Sequence, residues 1–312
     1  MYYIIINPIA GRGRTLLHLP VLTNLFGKHG LEYEYHVTKS VMDGYETVKG
    51  IISDTGRGCS GIIGIGGDGT FQEIAAGMID GAPRGEKVPV PLGIFPGGSG
   101  NDFIMTLEGG KANALNKYKR RIEEAAGMFV DIIVKRRTRT VDAITANGTA
   151  FLNIGNIGLD ARIVKNAIEL KKKHGGRAYL AAVYKSIARH KNIPLTIEVN
   201  GEKWEKSYTL VAICNGQYYG GGLRISPSAE IDDGKITLCL VEAMSRPKTM
   251  VLFPSLMVEK HTMLKPVKMI ECESLKITLP PGPETLCLDG NLYPCEGQIE
   301  FKILPGVMDV FV

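Results

Sequence analysis

The sequence predicts a two-lobed α/β plus β protein: an amino-terminal lobe on a parallel sheet, then a carboxyl-terminal β-sandwich-like lobe with added helices, and a cleft between them. Three observations predict it. Short β-branched runs alternate with helical patterns through the first part of the chain, as βα units of a parallel sheet do. Strand-like runs then follow one another across short turns, an antiparallel pattern. The 312 residues also exceed what one core usually serves. We place the boundary near Gly127, giving lobes 1–127 and 128–312, with the last strand free to return to the first lobe.

YYIII is apolar and β-branched and is stopped by Pro8; AGRGR then supplies turn glycines ahead of an apolar-periodic stretch, Thr15 to Phe26. This reads as strand, loop, helix. The pattern recurs as YEYHVT, a helix over Tyr45 to Ile52, the buried strand GIIGIG, a helix over Phe71 to Met78, and the strand PLGIF. A helical stretch around Asn113 to Ala126 precedes FVDIIVKR, RTVDAITA and GTAFLNIG, all read as strands. PLTIEV, EKSYTLVAIC, KITLCLVEA, SLKITL and ETLCLDG continue the antiparallel series, with Asn200-Gly201 marking a hairpin. Helical patterns near Leu159 to Lys173, Ala178 to Arg189 and Thr249 to Met257 interrupt it.

Composition excludes several classes. With 44% hydrophobic and 22% charged residues the chain is globular rather than disordered. A net charge of +5 falls well short of a dedicated nucleic-acid binder, so no nucleic-acid partner is expected. The six cysteines lack metal-ligand spacing and read as small core residues. The amino terminus has no basic leader, and no apolar stretch is long enough to span a bilayer. Basic residues cluster at Lys117 to Arg121, Lys135 to Arg139 and Lys171 to Arg177, which suits either a solvated face or an anionic partner.

The sharpest feature is a strand running into Gly66-Gly67-Asp68-Gly69-Thr70 and then directly into a helix. Glycines let the backbone approach phosphate oxygens, and the amides at a helix start favour an anion. Asp68 repels a triphosphate, so it needs another task, at turn amides, a magnesium ion or a ribose hydroxyl. The next strand ends in a second such loop, Gly97, Gly98, Ser99, Gly100, Asn101 and Asp102; a third, Asn7-Pro8 with Gly11, Arg12 and Gly13, ends the first strand. Successive polar loops at strand ends point to one ligand crevice at the carboxyl edge of the sheet. No G-x-x-x-x-G-K-[ST] is present, so a Walker-type NTPase is disfavoured.

The segments IINPIAGRGR, GIGGDGTFQEIAAGM, PLGIFPGGSGNDF, NIGLDARIV and LCLDGN occur in the order found in the diacylglycerol kinase catalytic-domain family, which this chain resembles over nearly its whole length. That family includes sphingosine kinases and bacterial soluble lipid kinases. The resemblance implies an ATP- and Mg²⁺-dependent lipid kinase that phosphorylates a lipid hydroxyl, diacylglycerol first among the acceptors, with the active site in the cleft. By matching positions, Asn7, Thr38, Gly66, Gly67, Asp68, Gly69, Thr70 and Ser99 line ATP, with Asp68 near its phosphates and Mg²⁺. A structural magnesium maps to Asp233 and the carbonyls of Glu230 and Lys235; Asp232-Asp233-Gly234 also reads as an ordinary hairpin turn.

The acceptor hydroxyl loses a proton during transfer, and Asp289, closing the strand TLCL, is the candidate acceptor. It matches the aspartate of the family's L-D-G-E motif, although Asp-Gly is equally a turn signal. This chain departs from the motif at Asn291, where the family usually has Glu, and an amide cannot act as a base. On this reading Asp289→Ala and Asp68→Ala abolish phosphorylation in a folded protein. Expected partners are ATP and a lipid at the membrane surface, with a homodimer allowed. The expected location is the cytoplasm and, transiently, the inner membrane face, where Ile157 to Leu180, rich in Ile and Lys, suits either an interfacial helix or a core-facing one. The competing readings are an NAD kinase and, because of Asn291, a catalytically silent nucleotide or lipid sensor.

Overall fold

A computed structural model describes residues 1–54, 58–98, 100–118, 120–159, 161–164, 185–187, 189 and 191–312. The first lobe opens with Tyr2–Ile6 (β1), His18–Lys28 (α1), Tyr33–Val37 (β2), Asp43–Ser53 (α2), Gly61–Gly66 (β3), Asp68–Gly81 (α3) and Leu92–Pro96 (β4). Its strands are all parallel, in the order β2-β1-β3-β4. Ile4, Ile5, Ile6, Ile62, Ile63 and Ile65 are buried on both faces of the sheet, as a parallel sheet covered by helices requires. Val48, Ile51, Phe71, Ile74 and Met78 of α2 and α3 pack on one face, and Leu22, Phe26, Phe129 and Ile133 on the other.

Asp102–Leu107 (α4), Lys111–Tyr118 (α5) and Ile122–Val134 (α6) follow. Here FVDIIVKR, expected as a strand, is helical through Val134, a correction with a plain cause. Ala125, Ala126, Phe129, Val130, Ile132 and Ile133 recur at helical spacing and form one buried face, and Glu123 and Glu124 occupy the first turn where the dipole favours acids. Packing of that face outweighs the strand preference of Val and Ile. Gly127 thus lies inside α6, and the antiparallel strands begin at Thr138.

The second lobe comprises Thr138–Ala146 (β5), Thr149–Phe151 (β6), Ile154–Gly158 (β7), Ile193–Val199 (β8), Glu202–Cys214 (β9), Tyr218–Tyr219 (β10), Leu223–Arg224 (β11), Ile236–Glu242 (β12), Arg246–Met257 (α7), Val267–Cys272 (β13), Ser274–Thr278 (β14), Glu284–Leu288 (β15), Asn291–Cys295 (β16) and Gln298–Phe311 (β17). Asn200 and Gly201, both at positive φ, turn β8 into β9 as the Asn-Gly signal predicts. A core containing Phe151, Ile157, Ile197, Val211, Leu238, Ile277 and Phe301 fills the lobe. β17 pairs antiparallel with β14 and β5 and meets β4 in parallel at Val310↔Leu92, which joins both lobes in one sheet.

Among the described residues no helix is long and apolar enough to cross a membrane. All six cysteines are free, four of them buried. The Lys135 to Arg139 cluster faces its own acids: Lys135 and Arg137 reach Asp131, and Arg139 reaches Asp232. Most of the Leu159 to Arg189 helical reading, including Ile168, Leu170 and the Lys171 to Arg177 cluster, lies outside the described residues.

Candidate active site

The strand order places β1 between β2 and β3, so the chain leaves β1 in one direction and later returns on its other side. Loops after such neighbouring strands diverge and open a crevice at their carboxyl ends. Asn7 ends β1 and the Gly66 to Thr70 loop ends β3; Asn7 Nδ2 donates to Thr70 Oγ1 across the crevice at 3.0 Å. Thr38, just past β2, donates its amide to the Ile6 carbonyl at 2.9 Å and so borders the same opening.

The three glycine loops are packed to backbone contact. The Gly97 amide donates to the Gly66 carbonyl at 2.6 Å, and a Cβ at Gly67 would lie 3.1 Å from the Gly98 Cα. Gly11, at φ +58°, leans on the Gly97 carbonyl so closely that a side chain there would collide with it. α3 begins at Asp68, so its amino-terminal amides and macrodipole face this opening. Ser99 lies outside the described residues.

Three carboxylates then lock loop to loop, each by accepting backbone amides. Asp68 accepts from Asn101 at 2.7 Å, from Asp102 at 2.7 Å and from Phe103 at 3.2 Å, tying the β3 loop to the start of α4. Asp102 accepts from Gly221 and Gly222, at 3.0 and 2.7 Å, tying α4 to the β10–β11 turn of the second lobe. Asp289 accepts from Leu152 at 2.8 Å, Asn153 at 3.1 Å and Ile154 at 2.8 Å, tying the β15–β16 turn to the β6–β7 connection. Burial raises the Asp289 carboxyl to about 7, over the opposing pull of these amides, and the Asp68 charge adds to it. Burial and then the Asp68 charge likewise bring Asp102 to about 7. Asp68 itself is raised by burial against its amide bonds.

Asp289 stands at φ +47° and Gly290 at +91°, so the Asp-Gly hairpin turn is real, and it is also what delivers Asp289 to the lobe junction. Two residues on, Asn291 Nδ2 donates to the Gly69 carbonyl at 3.0 Å and to Gln72 Oε1 at 2.7 Å. Tyr293 donates its hydroxyl to the same Gln72 oxygen at 3.0 Å, while Gln72 Nε2 donates to the Ala150 carbonyl at 2.7 Å. Asn291 therefore holds the glycine loop where a carboxylate would face two oxygens.

Glu230, Asp233 and Lys235 lie on a separate loop organised by Asp142, which is buried and accepts from the Gly234 and Gly306 amides at 2.7 and 2.6 Å. Asp233 accepts the Lys235 amide at 2.9 Å. Its carboxyl is raised first by partial burial, countered by Lys235, and raised further by the Asp142 and Glu230 charges. That excess of negative charge and the oxygen-only donors suit a hard cation that keeps several waters. No hydrogen bond of the described residues joins this loop to the glycine loops, and no cluster of three acidic, His or Cys side chains stands ready to hold a metal among them.

Sequence reasoning missed Asp142, Gln72 and Tyr293, and it noted Asp102 without giving it a partner. The signal for Asp142 was legible: a charged residue inside an apolar run, Val141 to Ile144, needs buried partners. Gln72 and Tyr293 have no comparable signal, since their partners are remote in sequence.

A profile of the diacylglycerol kinase catalytic domain matches residues 1–146, and one of the YegS C-terminal NAD kinase beta sandwich-like domain matches residues 154–312. The chain is 26% identical over 267 residues to a diacylglycerol kinase of Mycobacterium tuberculosis, covering 81% of this chain and 77% of that protein. It is 30% identical over 195 residues to a "probable lipid kinase YegS-like" of Pseudomonas aeruginosa, covering 62% and 57%. A crystal structure of a candidate diacylglycerol kinase from Bacillus anthracis superposes with a TM-score of 0.74 at 25% identity, covering 99% of this chain and 94% of that one.

Proposed function

This chain belongs to the lipid kinases built from a diacylglycerol kinase catalytic domain and a YegS-type C-terminal domain, and we propose that it transfers the γ-phosphate of ATP to the hydroxyl of diacylglycerol, giving phosphatidic acid. That it is a phosphotransferase acting on a lipid alcohol follows from its family. The donor, the acceptor and the residue roles are our reading. The observation that carries it is the meeting of three strand-end loops at the switch point, with Asn291 of the second lobe bonded to the Gly69 carbonyl and Asp289, two residues before it, within reach of the Asp68 charge.

In this reading the Gly66 to Thr70 loop and the start of α3 receive the triphosphate, with Asn7 and Thr38 on its border, and Ser99 is assigned to the same ligand from the sequence match alone. Mg²⁺, when bound, neutralises phosphate charge, the main requirement of phosphoryl transfer. Asp68 is the carboxylate of the loop that would face it. Asp233, with the Glu230 and Lys235 carbonyls, would hold a second, structural ion. Asp289 is the proposed proton acceptor: a carboxyl near 7, fixed in one orientation by three amides, is matched to proton transfer at neutral pH. The acceptor lipid would enter at the lobe junction and the protein would visit the membrane surface transiently from the cytoplasm.

Transfer of labelled phosphate from ATP and Mg²⁺ to micellar diacylglycerol, run beside NAD, tests the proposal. Label in the lipid supports it. Label in NAD alone would overturn it, and ATP binding without transfer to any lipid would favour the silent sensor.

A further inference from the structure

From Met250 to Val258, α7 and the residue that follows it carry no charged side chain, unlike an ordinary surface helix. Inward, Thr249, Leu252 and Leu256 are buried, and the two leucines pack with Ile225, Ala229 and Val267. Outward, Met250 is 44% exposed, Met257 64% and Val258 62%, with exposed Pro254 completing the stripe, and Met263 on the next turn is 80% exposed. The helix hydroxyls turn away from water: Thr249 Oγ1 donates to the Ser245 carbonyl and Ser255 Oγ to the Leu252 carbonyl. A helix apolar on opposite faces is one that a second apolar medium covers.

The charges around this stripe say which medium. Arg246, Lys248, Lys260 and Lys265 are exposed, and Lys248, Lys260 and Lys265 have no ion pair among the described residues. The one acid of the segment, Glu259, is taken by Arg224 at 3.1 Å. No acid stands in the first turn of α7, where Arg246 and Lys248 add to the positive end of the macrodipole; an anionic neighbour relieves that repulsion. The surface is also tied to the candidate site. Arg224, which holds Glu259, belongs to β11, and the β10–β11 turn supplies the amides that hold Asp102.

We propose that the outward face of α7 and its following turn, through Met250, Met257, Val258 and Met263 within a rim of Lys248, Lys260 and Lys265, docks on an anionic bilayer surface. Exposed apolar side chains entering the headgroup boundary and lysines at the phosphates are the two components of interfacial binding. The purpose of the docking rests on the lipid-kinase reading, but binding is measured without turnover, so each can fail alone.

The test is co-sedimentation of the full chain with vesicles of phosphatidylcholine alone or containing phosphatidylglycerol. Expected are binding to the anionic vesicles, loss at high salt, and about fivefold weaker binding for each lysine removed in Lys248→Gln, Lys260→Gln and Lys265→Gln. Met257→Asp with Met263→Asp should weaken binding by about tenfold. Should that pair fail to fold, the lysine series on exposed side chains carries the test. Wild-type protein indifferent to anionic vesicles at low salt, or variants that bind as wild type, would overturn the proposal. So would a wild-type dimer in sedimentation velocity that the methionine pair dissolves, since a second copy would then cover the face. Vesicle binding that follows these residues in a protein without phosphotransfer would keep the docking and remove the kinase reading.

Discussion

At the scale of single residues, the carboxylates of this site organise backbone before they meet any ligand. Asp289 accepts three buried amides, so removing its carboxylate leaves donors that each cost about 1–3 kcal/mol when unpaired. Asp289→Ala is therefore expected to lose stability as well as activity, and Asp289→Asn is the cleaner probe. Because burial raises this carboxyl from 3.8 to about 7, the native state binds more protons than the unfolded chain between those values. Its contribution to stability is complete below pH 3.8 and is lost as pH rises through 7. Activity runs the other way if Asp289 takes the proton: kcat/KM should rise with pH to a limb near 7. Asp289→Asn should flatten both profiles, and an unchanged limb in kcat/KM would move the proton to another group, Asp102 foremost. Asn291 gives a second residue test. In Asn291→Asp an oxygen replaces the amide nitrogen that bonds Gly69 and Gln72, and urea unfolding should show a loss of about 1–3 kcal/mol with a raised KM for ATP.

At the scale of elements, the glycine loops work because backbones touch. Gly11→Ala adds a Cβ at positive φ against the Gly97 carbonyl, a position where an L side chain costs about 1–2 kcal/mol before any clash. Calorimetry should find ATP bound at least about tenfold more weakly, while Gly30→Ala, at positive φ with nothing near it, should leave binding unchanged. Most of these elements were legible from the chain, for local reasons. GIIGIG followed by GGDGT and a helical period specifies strand, loop and helix from neighbouring residues alone, and the Asn200-Gly201 and Asp289-Gly290 hairpins follow from turn chemistry. α6 was misread because FVDIIV favours a strand locally and only its packing on β1, β3 and α1 makes it a helix. The links Asp102 to Gly221 and Asn291 to Gly69 were out of reach, since each spans over a hundred residues.

For the whole molecule, the two lobes share one sheet through β17 and are pinned by Asp102, Gln72 and Asn291. They should unfold together in one calorimetric transition. Met308, fully buried on β17 beside both lobes, is a sensitive point: Met308→Ala should cost about 2–5 kcal/mol and lower a single Tm rather than split it in two. The same construction brings the Gly66 to Thr70 loop and the Asp289 turn to one junction, and the proposal that ATP and the acceptor meet there is the central claim about function. It is tested most directly by the steady-state transfer of labelled phosphate from ATP to diacylglycerol by wild type, Asp68→Asn and Asp289→Asn, each first shown to be folded and to bind ATP. The account predicts transfer by wild type and a loss of at least about a hundredfold in both variants. Wild-type rates in either folded variant would contradict it.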